Sequence, residues 1–214
     1  VTEEHVPGFR FDLGGSAHIL IHHTPIVADL DLKRYGLEYI DVDPIFYAPF
    51  PDGTSITVYR DVERTCESIA QVCPEDADAY REFVRNWWTF GEGMVESFLH
   101  TPTPWNLVKY MAVDSGLWKN PFWRMNVIRQ GHGDLVRKLF KSEKVQAMIA
   151  WMSAQTGPPP SEAFSAPLGL WFPMYHVSGM SRPRGGSGML TQALAKMIED
   201  HNGEIMLNAP VQRI

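Results

Sequence analysis

Between Asp61 and about Thr156 the apolar residues recur three and four apart, the spacing that lines one face of a helix. "DVERTCESIAQV" and "PEDADAYREFVRNWWTFGEGMVESFL" carry the pattern most clearly, and Pro74 punctuates the join. Asp76 and Asp78 fall in the opening turn of the second segment, where negative charge suits the helix dipole. "GHGD", residues 131 to 134, reads as a helix start with Asp134 in its first turn. Further on, "SEKVQAMIAWMSAQTG" has Ser142 as a cap and Gly157 as a stop, ahead of the rigid "PPP" of residues 158 to 160.

The flanks read differently. "GFRFDLGGSAHILIHH" alternates Phe9 and Phe11 with polar neighbours, a strand signal that Gly14 and Gly15 break. "TPIVADLDLKRYG" predicts a short helix with Thr24 as N-cap, Pro25 at the first helical position and Gly36 as terminator. "EYIDVDPIFYAPFPDGTSITVYRD" predicts two or three strands, with Asp52-Gly53 at a tight hairpin turn. After the helical block, the apolar "SAPLGLWFPMYHVSGM" leads into "SRPRGGSGMLTQALAKMIEDHNGEI". That run is a glycine-rich turn followed by a helix with Met189, Leu190, Ala193, Leu194 and Met197 on one face. Gly203 is expected as its left-handed C-terminal cap, and "EIMLNAPVQRI" as a closing strand. Strands, then helices, then a strand–loop–helix–strand return define an α+β fold. The expected architecture is a mostly antiparallel sheet covered on one face by the helical block.

Charge and composition narrow the partners. The net charge of -6 and the lack of any basic stripe argue against nucleic acid, whose phosphates are met by clustered Lys and Arg. Seven Trp and ten Met supply large, adaptable apolar surface, suited to a filled core or to an apolar pocket. Cys66 and Cys73 lie seven apart on a predicted helix, too far along its axis for a disulfide, which points to a reduced, cytoplasmic setting. No apolar run reaches the length of a membrane span. Val1 opens the chain without a methionine and a predicted strand closes it, so it reads as a piece of a longer polypeptide.

Several clusters invite chemistry. "RPRGGSGML" could cradle phosphate at a helix start, but it lacks the Lys-Ser/Thr pair of a nucleotide loop and misses G-x-G-x-x-G. A structural turn is the plainer reading. His18, His22 and His23 have spacings that could share a face, yet no H-E-x-x-H glutamate or third ligand accompanies them. Asp41 and Asp43 suit either a carboxylate pair or the polar face of a strand. "WNLVKYMAVDSGLWKNPFW", residues 105 to 123, sets Trp105, Trp118 and Trp123 near Lys109 and Lys119. That mixture suits a membrane surface, or packing beneath loops.

The order of these features resembles a known family. "TEEHVPGFRFDLGGSAHIL" looks like the segment that follows the dinucleotide fingerprint in carotenoid desaturase and ketolase flavoproteins of the amine-oxidase-like group. "DLKRYGLEYI", "YRDVERTCESIA", "PEDADAYREFV", "FKSEKVQAMIAW" and "GPPPS" follow with ketolase-like spacing. "MYHVSGMSRPRGGSGMLTQALAKMIEDHNGEIMLNAPVQRI" is the most specific match, and the resemblance covers essentially the whole chain. It implies the substrate-binding domain of a two-domain FAD oxidoreductase over residues 1 to 214, with 1 to 21 and 203 to 214 as edges toward a FAD-binding unit that this sequence lacks. It implies FAD in the parent protein, not held tightly by this stretch alone, and a carotenoid-like substrate that is desaturated or ketolated. By position, Gly14, Gly15 and Ser16 fall where the chain passes the flavin ring, Gly185, Gly186 and Gly188 at the turn near the flavin, and Val211 beside the adenine. His176 matches a histidine of the ketolase-like branch with no assigned role. An amine-oxidizing flavoenzyme with a smaller substrate and a non-catalytic lipid- or carotenoid-binding module remain the alternatives.

Overall fold

The segregation of strands and helices read from the spacing is present in the computed structural model, which describes residues 2–15, 17–114, 121–155, 157–169 and 172–213. The chain opens with β1 (Thr2–Val6), β2 (Phe9–Asp12), a 3-10 turn over Leu20–His23 and α1 (Ile26–Asp29). Then come β3 (Tyr39–Asp41), β4 (Phe46–Pro49) and β5 (Ser55–Val58). The helices follow: α2 (Val62–Ala70), α3 (Pro74–Leu99), α4 (Pro104–Val108) with a π-helical turn over Lys109–Asp114, and α5 (Pro121–Ile128). After them lie α6 (His132–Leu139), α7 (Glu143–Ala154), α8 (Ala166–Gly169) and α9 (Phe172–Ser178). The short β6 (Ser181–Pro183) and α10 (Gly188–Asp200) end the series. These elements form two compact units, Val1–Val42 with Met180–Ile214, and Asp43–Gly179.

Among the described residues the single sheet expected from the sequence is replaced by three antiparallel two-stranded ladders, β1–β2, β3–β6 and β4–β5. Strands of three to five residues offer too few ladder bonds to extend one another. A helix completes one of them: the amides of Thr57, on β5, and of Tyr59, just after it, donate to Ser68 Oγ (2.8 Å) and Thr65 Oγ1 (2.9 Å) of α2. Hydroxyls on a helix thus satisfy a strand edge that would otherwise carry orphan donors. The β4–β5 turn is as expected, with Gly53 in the left-handed region (φ 83°) and Phe50 N–H donating to Thr54 O at 2.9 Å.

In the unit of residues 43–179, α3 is the organising helix. Pro74 starts it, and Tyr80, Phe83, Val84, Trp87, Phe90 and Met94 form its buried face. Each such side chain contributes on the order of 1.5–3 kcal/mol by leaving water. Phe172 and Tyr175 of α9 pack on Phe46 of the hairpin, with ring centroids 6.2 and 4.9 Å away. Trp87, Met94, Met148, Met152 and Met174 contribute to this filling, whereas Trp105 and Trp151 are exposed.

Two expectations about this unit change, and a third, Asp76, holds but acquires a further task. Cys66 and Cys73 are free, but Cys66 lies on α2 and Cys73 is the residue that precedes α3, so they do not share a helix. Asp78 lies beyond the first turn of α3 and pairs with Arg81 at 2.6 Å. Asp76 does sit in that turn, yet it is buried and accepts from the amides of Lys141 (2.7 Å) and Ser142 (2.8 Å). Its carboxylate therefore fastens the α6–α7 connection to the start of α3.

In the other unit, α10 lays Met189, Leu190, Ala193, Leu194 and Met197 on Leu32 and Leu37, the face expected. β1 went unanticipated. Thr24 closes the 3-10 turn by donating to Ile21 O (2.7 Å) instead of capping α1, whose preceding residue is Pro25. The left-handed cap of α10 is Asn202 (φ 60°), not Gly203. Asn202 N–H donates to Glu199 O and Gly203 N–H to Ile198 O, the paired bonds of a Schellman end. Gly203 is required for a different reason, since a Cβ there would lie 2.5 Å from Ile198 Cγ2. Residues 204–213 form no strand among the described residues and are exposed, because no described backbone pairs with them.

Replacing Asp76 with Ala is expected to destabilise the chain by about 2–4 kcal/mol, because two amides lose a charged acceptor. Urea unfolding checks this, and an unchanged midpoint would remove the fastening role.

Candidate functional site

β2 delivers its last residue, Asp12, to the start of α10. Ser187 N–H donates to Asp12 Oδ1 at 3.0 Å and Oδ2 at 3.2 Å, and Ser187 Oγ donates to Oδ1 at 2.9 Å. The turn that presents Ser187 is set by its neighbours. β3 pairs with β6 through Tyr39↔Pro183, Arg184 N–H donates to Glu38 O (2.8 Å), and Gly186 N–H closes on Pro183 O (3.0 Å). Gly185 (φ 90°) and Gly186 (φ 97°) occupy conformations that a side chain resists. At Ser187 the anion is the protein's own carboxylate, not a phosphate. Gly188 begins α10 behind it.

Gly14 and Gly15 follow β2 and are exposed. A Cβ built on either meets no atom within 4 Å. At Gly14 and Gly15 the exposed backbone carries no side chain, which is compatible with the edge of a flat ring system bearing carbonyl and imide groups. In the glycine turn the Gly186 N–H and carbonyl are already taken, by Pro183 O and by Met189 N–H. Ser16 lies outside the described residues. Val211 is 77% exposed, and among the described residues no hydrogen bond ties it to either glycine pair.

The histidines take up other tasks. His18 Nδ1 lies 2.8 Å from the Tyr39 hydroxyl, and the His22 ring stands edge-on to Tyr39 at 4.5 Å. Burial lowers the pKa of His18, opposed by the charge of Asp12. The side chain of His23 lies outside the described residues. Asp41 and Asp43 are engaged separately: Asp41 accepts from Ser181 Oγ (2.8 Å), whereas Asp43 accepts from Arg60 N–H (3.1 Å) and Arg64 (3.2 Å).

His176 is buried on α9. Its Nδ1 is 3.0 Å from Arg60 O and its Nε2 is 2.6 Å from the Tyr80 hydroxyl. A carbonyl only accepts, so Nδ1 carries the proton and the Tyr80 hydroxyl donates to Nε2. Both ring nitrogens are committed. Burial lowers its pKa, partly offset by the Arg60 carbonyl and the charge of Asp61.

Trp105 is 73% exposed and so not packed beneath loops. Trp118 and Lys119 lie outside the described residues, as does the side chain of Trp123. Phe98, Leu107, Val108 and Val113 are also exposed, and Lys109 Nζ sits 4.5 Å from the Tyr110 ring centre. No described helix is long and apolar enough to cross a membrane. Sequence reasoning missed the roles of Asp12 and Tyr80; an aspartate closing an alternating strand before two glycines was the available signal for the first.

A family model described as flavin containing amine oxidoreductase matches residues 1–214. The chain belongs to that family. It is 27% identical over 221 residues to a limonene dehydrogenase component of Castellaniella defragrans, covering 100% of this chain and 38% of the relative. To the lycopene-forming phytoene desaturase of Pantoea ananas it is 26% identical, over 97% of this chain and 41% of the relative. To the all-trans-retinol 13,14-reductase of Danio rerio it is 24% identical, over 97% and 35%. The chain spans 35% to 42% of the length of the curated relatives it matches.

The folded-state pKa of His176 lies below the ordinary histidine value of about 6.5. The unfolded chain therefore takes up a proton first as pH falls. The stability this neutral ring contributes is complete above about pH 6.5 and is lost as pH falls through the folded-state value. Urea midpoints measured from pH 7.5 downward are expected to drop less steeply in His176→Asn than in the unsubstituted chain, and equal slopes would contradict it.

Proposed function

We propose that this chain is the substrate-binding portion of a FAD-dependent oxidoreductase that desaturates a long apolar polyene of the carotenoid kind. The observation that carries the reading is the shared chemistry in the names of its relatives: phytoene desaturases, a retinol reductase and a limonene dehydrogenase all act on unsaturated, largely hydrocarbon molecules. When bound, FAD would supply the two-electron oxidant that formation of a new double bond requires. The backbone of Gly14, Gly15, Gly185, Gly186 and Gly188 would line its edge, with Ser16 and Val211 at the positions the resemblance assigns. His176, with both nitrogens engaged in the core, serves packing in this reading. Ketolation is an alternative outcome on the same substrate class.

In the full-length parent protein, anaerobic mixing with phytoene or β-carotene is expected to bleach the flavin and to yield a polyene with one more double bond. Bleaching by amines alone would replace this reading with amine oxidation. Polyene retained by a protein without flavin would indicate a binding module.

An apolar substrate is stored in lipid, and the exposed Phe98, Trp105, Leu107, Val108 and Val113 beside Lys109 offer a membrane-facing surface. Replacing Trp105 and Leu107 by Ser is expected to weaken co-sedimentation of the parent protein with anionic liposomes by about tenfold or more. Undiminished binding would rule the surface out.

A further inference from the structure

Gly14 and Gly15 have no conformational or packing reason to be glycine. Neither takes a left-handed φ, and neither would bring a Cβ within 4 Å of any atom. The segment is nevertheless held at both ends against the same strand–turn–helix. Before it, Asp12 accepts the three contacts from Ser187, 175 residues away. After it, His18 N–H donates to Ser181 O at 2.9 Å, extending the β6 edge. Exposed backbone at Gly14 and Gly15, two residues beyond an aspartate fixed to the turn, is a preorganised surface, and preorganisation of that kind is what saves ordering entropy when a ligand binds.

We propose that Asp12 is a positioning residue for the flavin: by holding Ser187 it locks the Gly14–Gly15 backbone to the Gly185–Gly186 turn as one edge. This rests on the flavin reading above. Asp12 acts through backbone it holds in place, not by touching the ring. Both bonds to Oδ1 come from Ser187, one from its amide and one from its hydroxyl, so a side-chain amide oxygen at the same point can accept both, and the longer amide contact to Oδ2 (3.2 Å) is the one that Asn gives up. The hydrogen-bond geometry therefore separates the role of position from the role of charge.

The test uses full-length parent protein stripped of flavin and titrated with FAD, read by flavin fluorescence and by the visible spectrum of the bound form. Asp12→Ala is expected to bind FAD about tenfold or more weakly, whereas Asp12→Asn stays within about threefold of the unsubstituted protein. Asp200→Ala is the control, because Asp200 accepts from Arg34 (3.1 Å) and Tyr35 (2.8 Å) at the far end of the same helix. It is expected to lower thermal stability without changing FAD affinity. Should Asp12→Ala fail to fold, Ser187→Ala, which removes only the hydroxyl donor, is expected to give an intermediate loss.

Unchanged affinity and spectrum in Asp12→Ala, or in Ser187→Ala where that variant stands in for it, overturns the proposal. So does an equal loss of FAD in Asp200→Ala, which marks general destabilisation, or a folded Asp12→Asn as weak as Asp12→Ala, which marks charge. If the unsubstituted full-length protein itself takes up no FAD, the flavin reading fails and the positioning role falls with it. That outcome is distinct because it needs no variant.

Discussion

The larger unit depends on one polar group that has to be hidden. Tyr80 lies wholly inside, its ring within 6.4 Å of Phe83, Phe140, Phe172 and His176 by centroid. Leaving its hydroxyl unpaired there would cost about 1–3 kcal/mol, so the core requires an acceptor at that point. His176 supplies the acceptor, and the Arg60 carbonyl fixes the tautomer that makes it one. The same Arg60 donates its amide to Asp43, and its guanidinium lies where a Cβ on Gly179 would come within 3.3 Å. One buried hydroxyl therefore sets the register of α9 on α3. That register in turn brings Phe172 and Tyr175 onto the hairpin at Phe46.

The smaller unit solves a different problem, the open end of an amphipathic helix. Burial on Leu32 and Leu37 holds the flank of α10 but leaves the amides of its first turn needing acceptors. Ser187 has the residue type of a good cap, yet its side chain makes no capping bond within the helix. It turns to Asp12 instead, donating both its amide and its hydroxyl. Capping from a remote strand costs more chain order than capping from a neighbour. In return it ties the end of β2 to the glycine turn, a linkage no local cap provides.

What could be read from the sequence follows from this contrast between local and remote causes. Pro74 at a helix start, Ser142 as a cap, Gly157 as a stop, the Gly53 turn and the apolar face of α10 each depend on residues a few positions apart. The choice between Asn202 and Gly203 as the left-handed residue did not, because both tolerate it and the approach of Ile198 reserved the glycine for contact. Asp76 had a good local explanation in the helix dipole, while its larger task lay 65 residues away at Lys141. Strand pairing has the same remote character: alternation marked Phe9 and Phe11 without showing that the strands would close as separate ladders. At the candidate site the glycine turn was legible as a turn. Its link to flavin came only through family resemblance, since no residue spacing encodes a ring system held by backbone.

Two kinds of glycine meet at this site, and they carry different information. Gly185 and Gly186 are forced by backbone conformation, so their presence would be explained with no ligand at all. Gly14 and Gly15 answer to no such demand, with ordinary φ and open space where a Cβ would stand. A glycine that neither bends the chain nor relieves a contact still costs conformational entropy on folding, roughly 0.5–1 kcal/mol relative to alanine in regular structure. No contact among the described residues offsets that cost at Gly14 and Gly15, whereas the conformation of the turn accounts for Gly185 and Gly186. The proposed flavin edge therefore rests on the first pair more than on the second, because only the first pair is left without a reason inside the described fold.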